Sequence, residues 1–275
     1  MLQFKVDKEK CTRCGLCVAD CPAHVMDTAD GFPLIMAEKE AGCYRCQHCF
    51  AVCPTGAISI LGLDPRESTP LEGDWRPDPA KLETLMKGRR SVRRYKQENL
   101  EPELLQRLLE VVWHAPTGVN TRQVRFTVID DREKLASFRD ELLAGVARLV
   151  RENALPEQLA FFGDFVKLWE EQCVDVLFRG APHLLVASVS DKAVSPLQDC
   201  MIALSYFELF AQANGVGTVW DGLAKIAIND LVPESLARLG IPEDHTVGYC
   251  IAFGKPAVQY ARTVQHQGAL IHRVW

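Results

Sequence analysis

Apolar and polar positions follow two different periods in residues 80–275. Apolar residues at helical spacing predict helices over residues 102–112 and 131–150, and a third long helix is predicted from 196 to about 213. Ser195 precedes the last of these helices and Gly215 follows it, which predicts an N-cap and a helix end. Short apolar runs predict strands at 124–129, 183–189, 217–220 and 246–253. Helices that alternate with single strands predict a sheet flanked by helices.

The segment 155–178 is rich in Phe and contains Trp169. We predict that it is helical and forms a partly exposed lid or interface, not a part of the core.

Composition narrows the class of protein. The chain has 275 residues, 48% of them hydrophobic and 24% charged, with a net charge of −5, which suits a globular protein of more than one domain. An acidic balance argues against a nucleic-acid partner, because that affinity comes from Lys and Arg. No run approaches the roughly 18 apolar residues of a membrane helix, and residues 1–10 lack a signal-type apolar core. These patterns predict a cytoplasmic protein with no membrane partner.

The cysteines are concentrated near the amino terminus. Eight of the eleven occur in two runs, which share the spacing C-x2-C-x2-C-x3-C-P at an offset of 32 residues. The runs are Cys11, Cys14, Cys17 and Cys21, then Cys43, Cys46, Cys49 and Cys53. Without an export signal we expect free thiols available to metal. Structural zinc is the alternative interpretation, but it leaves the third cysteine of each triplet without a role.

Residues 1–62 resemble a two-cluster bacterial ferredoxin, whose spacing this is. The resemblance implies two [4Fe-4S] clusters, in which the fourth cysteine of each run binds the other cluster. The implied ligand sets are Cys11, Cys14 and Cys17 with Cys53, and Cys43, Cys46 and Cys49 with Cys21. Four prolines and two glycines between residues 62 and 79 predict a linker over 63–80, followed by a second domain over 81–275.

The second domain carries motifs of a different kind. A basic segment includes Arg89, Arg90, Ser91 and Arg93, whose guanidinium and hydroxyl groups suit phosphate. Taken alone, such a charge run is equally typical of a solvated surface. Further along come A-P-T-G-V-N at 115–120, G-T-V-W-D-G at 217–222 and a G-K-P close at 254–256. Neither a P-loop nor a G-x-G-x-x-G fingerprint is present.

In this order and at these separations, the four motifs resemble those of the flavin-dependent nitroreductase family, over about residues 81–275. The resemblance implies an α+β fold: a small ferredoxin-like iron–sulfur domain followed by a nitroreductase-like sandwich, with a mixed sheet flanked by helices. It also implies an FMN cofactor and a homodimer, in which we expect the tail from Ala257 onward to wrap the partner subunit.

The resemblance implies roles for individual residues. Phosphate, ribityl chain and pyrimidine edge would be held by Arg89, Arg90, Ser91 and Arg93, with Arg262 as a second phosphate ligand. The isoalloxazine would be lined by Pro116, Thr117 and Asn120 on one side, often from the partner subunit in this family, and by Val219, Trp220, Asp221 and Gly222 on the other. Two departures matter: Thr117 replaces the family's usual Ser, and Arg122-Gln123-Val124 replaces Gln-Pro-Trp. No catalytic side chain is assigned.

Together the modules predict an oxidoreductase. Clusters carry single electrons and flavin carries two, so the clusters would reduce FMN, and FMN would reduce a small conjugated acceptor such as a nitroaromatic, quinone or enone. One alternative is FMN-mediated exchange of electrons between NAD(P)H and an external ferredoxin-like protein. Another is a non-catalytic flavin-binding or flavin-delivery protein.

Overall fold

The computed structural model describes all residues, 1–275, and divides into two compact units. The first unit is Met1–Arg76 together with Val119–Thr121, and the second is Pro77–Gly118 together with Arg122–Trp275. Domain limits at 62 and 81 stay a prediction. None of the helices combines the length and apolar character that crossing a bilayer requires.

The first unit is built from very short elements. Its strands are β1 (Lys5–Val6), β2 (Met26–Ala29), β3 (Phe32–Ile35) and β4 (Ile58–Ser59), and its helices are α1 (Leu16–Ala19) and α2 (His48–Ala51). Strand β1 pairs antiparallel with β4, and β2 pairs antiparallel with β3. The hydrophobic core includes Leu2, Val25, Met26, Ile58 and Ile60. A core this small contributes little to folding stability, so the stability of this unit depends largely on the group that its cysteines bind.

The backbone repeats the sequence repeat of the first unit. Helices α1 and α2 begin 32 residues apart, and each follows an N-cap in the left-handed region, Gly15 at φ 72° and Gln47 at φ 63°. Arg13 and Arg45 are also left-handed, at φ 59° and φ 52°. These turns fold each C-x2-C-x2-C run back on itself, because a left-handed residue reverses the chain direction locally.

The second unit is larger and has one sheet. Its helices are α3 (Pro79–Gly88), α4 (Pro102–Val112), α5 (Arg132–Arg151), α6 (Phe162–Gln172), α7 (Pro196–Ala213), α8 (Gly222–Ile226) and α9 (Glu234–Arg238), and its strands are β5 (Arg125–Ile129), β6 (His183–Ser190), β7 (Gly217–Trp220) and β8 (His245–Gly254). The sheet has the order β5-β6-β8-β7 with antiparallel pairing throughout. Two hydrophobic clusters include alternate residues of β6 and β8, so that the sheet is buried on both faces.

The predicted elements are largely confirmed. Strand β7 and helices α4 and α7 have the predicted limits. Strands β5 and β6 differ from the prediction by one residue at one end, and β8 and α5 differ by one residue at each end. Pairing along the sheet is less mixed than expected, since the parallel component is an isolated bridge between Ser91 and Thr218. The α+β class itself is confirmed.

Two local predictions need correction. Ser195 occupies the N-cap position of α7, but its side chain makes no capping hydrogen bond. The segment 155–178 is not a partly exposed lid: Phe162 and Phe178 are fully buried in the core against α5. Only Phe161 among its phenylalanines is exposed. The amphipathic helix α6 hides most of this aromatic surface, which a count of aromatic residues does not show.

Candidate functional site

Four cysteine side chains line a cavity in the first unit. The cavity has a volume of about 170 Å³, and its wall includes Cys11, Cys14, Cys17 and Cys53. Burial raises the pKa of the Cys17 thiol, and the charges of Cys53 and Cys14 raise it further. These four are the set that the ferredoxin pattern implies, in which Cys53 comes from the second run.

The other four cysteines also gather. Burial raises the pKa of Cys49 to about 11, with further contributions from the charges of Cys43, Cys46 and Cys21. Here too the fourth member comes from the opposite run. In both sets, the cysteine from the opposite run therefore lies close enough to raise the pKa of a buried member.

Backbone N–H groups point at these sulfur atoms. The Ala57 N–H donates to Cys53 Sγ over 3.2 Å, and the Arg45 N–H donates to Cys43 Sγ over 3.4 Å. A hydrogen bond from the Leu16 N–H lowers the pKa of Cys14. Such bonds favour the thiolate, which is the form that binds metal.

The donor set suits iron–sulfur chemistry. All eleven cysteines are free thiols. No three Cys, His, Asp or Glu side chains converge on a position for one metal ion; the first set surrounds a cavity instead. Thiolates around an enclosed space fit a cluster of several irons, each bound by one cysteine.

In the second unit, the basic segment 89–93 is tied to helix α7 through a buried acid. Arg89 Nη1 donates to Glu208 Oε1 over 3.0 Å. The same oxygen accepts a hydrogen bond of 3.2 Å from Thr218 Oγ1 on β7. Glu208 thus links two of the four predicted flavin-binding motifs.

The backbone of the basic segment lies against β7. The Val92 N–H donates to the Thr218 carbonyl over 2.8 Å. Gly217 makes room for this contact, because a Cβ there would stand 2.6 Å from Val92 Cγ2. Glycine at 217 therefore permits close approach of the two motifs.

The carboxy-terminal segment runs beside the same residues. The Lys96 N–H donates to the Lys255 carbonyl over 2.9 Å, and the Tyr260 hydroxyl donates to the Ser91 carbonyl over 3.3 Å. Arg262 follows two residues later and is exposed. Three predicted motifs, at 89–93, 217–222 and 254–262, therefore lie side by side.

The end of β7 forms a compact corner. Trp220 is half-buried and packs edge-on against Tyr249, with ring centroids 5.4 Å apart. A Cβ on Gly222 would come within 2.7 Å of the Tyr249 hydroxyl, so a larger residue here would require the Tyr249 side chain to shift. Val219 is buried in the core. The Asp221 N–H already donates to the Cys250 carbonyl over 2.9 Å and is engaged within the sheet.

Asp221 is a buried carboxyl, 5% exposed. Its Oδ1 accepts a 2.9 Å hydrogen bond from the Ala224 N–H and caps helix α8, whereas its Oδ2 has no hydrogen-bond partner. Burial raises the pKa of Asp221 to about 7.

The fourth motif is a strained loop. The Gly118 N–H donates to Asp199 Oδ1 over 2.9 Å, and Thr117 Oγ1 accepts a 3.0 Å hydrogen bond from the Arg122 N–H. Val119 has φ 44°, which a β-branched residue rarely adopts. Pro116 is exposed beside it. The hydroxyl of Thr117 thus serves the loop's own structure.

Asn120 belongs to the first unit by its contacts. Its Nδ2 donates to the carbonyls of Tyr44 and Arg45, over 3.1 Å in each case. These two residues stand between the predicted ligands Cys43 and Cys46. A role for Asn120 at the isoalloxazine stays a prediction.

Two buried acids of this region were not singled out from the sequence. Glu208 and Asp199 lie on α7 at 7% and 2% exposure. The available signal was acidic side chains inside an otherwise apolar helix, where burial demands a partner.

The residues of the second unit fit a phosphorylated flavin by the chemistry of their donors. Arg90, Ser91 and Arg93 retain at least partial exposure beside the carboxy-terminal segment with Arg262. Guanidinium groups bind phosphate oxygens in a planar, two-pronged manner. The structure also supplies the glycines that let the backbones meet.

Known protein families match both parts of the chain. The family model for the nitroreductase family matches residues 86–255, and the model for a 4Fe-4S dicluster domain matches residues 10–58. A methylamine utilization ferredoxin-type protein, MauM, from Methylobacillus flagellatus is 40% identical over 21% of this chain. The chain spans only 28% of that protein's length.

Two further proteins match the second part of the chain. An iodotyrosine deiodinase from Thermotoga neapolitana is 27% identical over 50% of this chain and 72% of its own length. A crystal structure of a nitroreductase with bound FMN from Bacteroides fragilis aligns at a TM-score of 0.57 with 23% identity, covering 70% of this chain and 99% of that one. This structural likeness establishes the fold. The chain belongs to the nitroreductase family of oxidoreductases and carries a 4Fe-4S dicluster ferredoxin domain ahead of the family's characteristic region.

Proposed function

We propose that this chain passes electrons from two [4Fe-4S] clusters to FMN and on to a small conjugated acceptor, such as a nitroaromatic, quinone or enone. One observation carries the proposal. A single polypeptide combines a thiol-lined cavity in a dicluster domain with the basic segment of residues 89–93 in a nitroreductase-family domain.

Two clusters per chain are supported by the two cysteine sets. Cys11, Cys14, Cys17 and Cys53 would hold one cluster, and Cys43, Cys46, Cys49 and Cys21 the other. The repeated backbone turns before α1 and α2 give both sets the same local geometry. Free thiols suit a reducing compartment, and we place the protein in the cytoplasm.

FMN is supported by the convergence of three motifs. Arg90, Arg93 and Arg262 would hold the phosphate, with Arg89 oriented by Glu208. Trp220 and Gly222 would line the ring system, and Pro116, Thr117 and Asn120 would do so from the other side; the Val219 side chain is buried in the core and is not available for this role. When bound, FMN would convert single electrons into a two-electron reduction.

Joining donor and acceptor modules in one chain has a kinetic consequence. Electron donation becomes intramolecular, so its rate does not depend on the concentration of protein. We assign no protein acid to the acceptor, whose protons would come from solvent or the reduced cofactor.

A homodimer is supported by the surface of α7. Leu197, Met201, Ile202 and Tyr206 are 38–47% exposed along this helix. The tail beyond Tyr260 adds exposed Ile271, Val274 and Trp275. Apolar surface of this kind is typical of a face that a partner covers.

An anaerobic experiment tests the proposal. Iron, sulfide and flavin are measured per chain, and reduction is then followed with reduced ferredoxin or with NADH. We expect reduced ferredoxin to bleach the clusters and then the flavin, and a nitroaromatic or quinone to reoxidise both. Direct flavin bleaching by NADH, followed by cluster reduction, would favour exchange between NAD(P)H and an external carrier. Reoxidation no faster with any organic acceptor than with buffer would favour a flavin-delivery role.

A further inference from the structure

Asp221 is held in place by its backbone and by one carboxyl oxygen. Its N–H donates to the Cys250 carbonyl, its carbonyl accepts from the Lys225 N–H over 3.1 Å, and Oδ1 caps α8 through Ala224. The side chain therefore cannot turn away from the corner between β7 and α8 without losing the cap.

The second carboxyl oxygen has nothing to bind. Oδ2 is buried and lacks a hydrogen-bond partner, although buried carboxylates usually find several. The nearby Tyr95 hydroxyl cannot serve, since it donates to the Val92 carbonyl over 2.7 Å and also lies 3.3 Å from the Ala252 carbonyl. Protonation of Oδ2 would therefore break no hydrogen bond of the folded protein.

The charged and titratable groups around Asp221 come from four segments. They are Tyr95 beside the basic segment, Asp175 and Arg179 ahead of β6, Tyr249 and Cys250 on β8, and Lys225 on α8. Asp175 opposes ionisation of Asp221, and Arg179 favours it. Burial exceeds both effects and keeps the pKa near 7.

We propose that Asp221 is a proton-exchanging positioning residue, whose carboxyl takes up a proton as electrons reach the flavin and releases it as they leave. This inference rests on the proposed function, because it needs a flavin beside Trp220 and Gly222. The carboxyl acts through charge, so that no bond between Asp221 and the flavin is formed.

The step balances without a further reactant. A lone pair on the carboxylate oxygen forms an O–H bond with a proton from solvent, and the electrons come from the cluster donor. Negative charge arriving nearby raises a carboxyl pKa, which draws the proton in. By reciprocity, the protonated carboxyl makes the flavin easier to reduce.

The test measures the flavin midpoint potential of the full chain between pH 5.5 and 9. Asp221→Asn removes the titration, and Asp230→Asn serves as the matched control because Asp230 is exposed further along the same helical stretch. Asp221→Ser keeps a capping oxygen and provides a second variant if Asp221→Asn does not fold. A reduction-minus-oxidation infrared spectrum reports the protonated carboxyl directly.

We expect the wild type and Asp230→Asn to show the pH slope of one additional proton around neutrality, together with a carboxyl band that appears on reduction. Both Asp221 variants should lose that slope and that band. If the Asp221 variants bind flavin and their midpoint potentials change with pH as steeply as that of the wild type, this inference is overturned and the proposed function stands. A reconstituted chain that retains no flavin would overturn both.

Discussion

The arginines of the basic segment differ in whether their side chains are free to bind phosphate or are held by another side chain of the protein. Arg89 is ion-paired with Glu208 and partly buried, whereas Arg93 is exposed. The sequence makes these two arginines look alike. Glu208 lies 119 residues from Arg89 along the chain, and no local pattern announces their pairing.

We predict that Arg93→Ala weakens FMN binding by roughly 10–100-fold, the effect of one charge-assisted hydrogen bond. Stability should change little, because the side chain is exposed. Arg89→Ala should weaken FMN binding and also destabilise the unit by about 2 kcal/mol, since Glu208 loses its charged partner. Flavin titration and thermal unfolding measure the two effects. Full flavin occupancy in both variants would contradict the phosphate assignment, and cluster absorbance should stay unchanged throughout.

Asp221 also gives stability a pH dependence of defined sign. Its folded pKa of about 7 exceeds the usual unfolded value near 4, so the folded state holds a proton that the unfolded state has released between those values. Stability should therefore fall as pH rises from about 4 to about 7 and then level off, with a total on the order of a few kcal/mol. The free energy of unfolding of Asp221→Asn should rise relative to that of the wild type over this range. If the free energies of unfolding of the two proteins differ by the same amount at all pH values, this prediction is contradicted.

At the scale of elements, the predicted helices and strands hold because their hydrophobic periods are strong. Helix α4 repeats leucine at helical spacing, and its predicted limits coincide with the structure. The failures lie elsewhere. Ser195 has the right position without the capping bond, and the aromatic stretch 155–178 enters the core, because tertiary packing decides both.

Contact between β7 and the basic segment depends on Gly217. We predict that Gly217→Ala destabilises the second unit by about 1–3 kcal/mol through overpacking against Val92 and weakens FMN binding. Gly88→Ala is the matched control, because nothing lies within 4 Å of the Cβ it adds next to the same segment. Its stability should stay equal or rise slightly. Equal behaviour of the two variants would argue against the close approach.

The cysteine sets cross between the two repeats, and this crossing is testable. Cys53→Ser should remove the cluster of Cys11, Cys14 and Cys17, and Cys21→Ser should remove the other cluster. Each variant should lose about half of the iron and sulfide, while Cys173→Ser, an exposed thiol of the second unit, should lose none. Retention of all iron in Cys53→Ser, measured by metal analysis and electron paramagnetic resonance, would refute the crossed arrangement.

At the scale of the whole molecule, the sequence was sufficient for the fold class and for the order of the two parts, because both rest on repeated spacings. It was not sufficient for the network that joins Glu208, Arg89 and Thr218, nor for the burial of Asp221. Those features arise only when distant segments pack. The site is therefore better defined by the fold than by its motifs.

Association of two chains is expected to use α7. Met201→Asp places a charge on its exposed apolar stripe and should shift the protein from dimer to monomer in sedimentation experiments, with FMN binding reduced. Lys192→Asp, an exposed change just before α7, should leave the dimer intact. A wild-type chain that sediments as a monomer with bound FMN would contradict this arrangement.

The path of electrons from the clusters to the flavin can be followed by anaerobic stopped-flow reduction. Wild type and the cluster-deficient variants Cys53→Ser and Cys21→Ser are mixed with a reduced ferredoxin, and cluster and flavin absorbance are followed together. We expect the flavin of the wild type to bleach after the clusters, at a rate independent of protein concentration, and we expect loss of a cluster to slow or abolish this phase. Flavin bleaching at an unchanged rate in both variants would contradict this path.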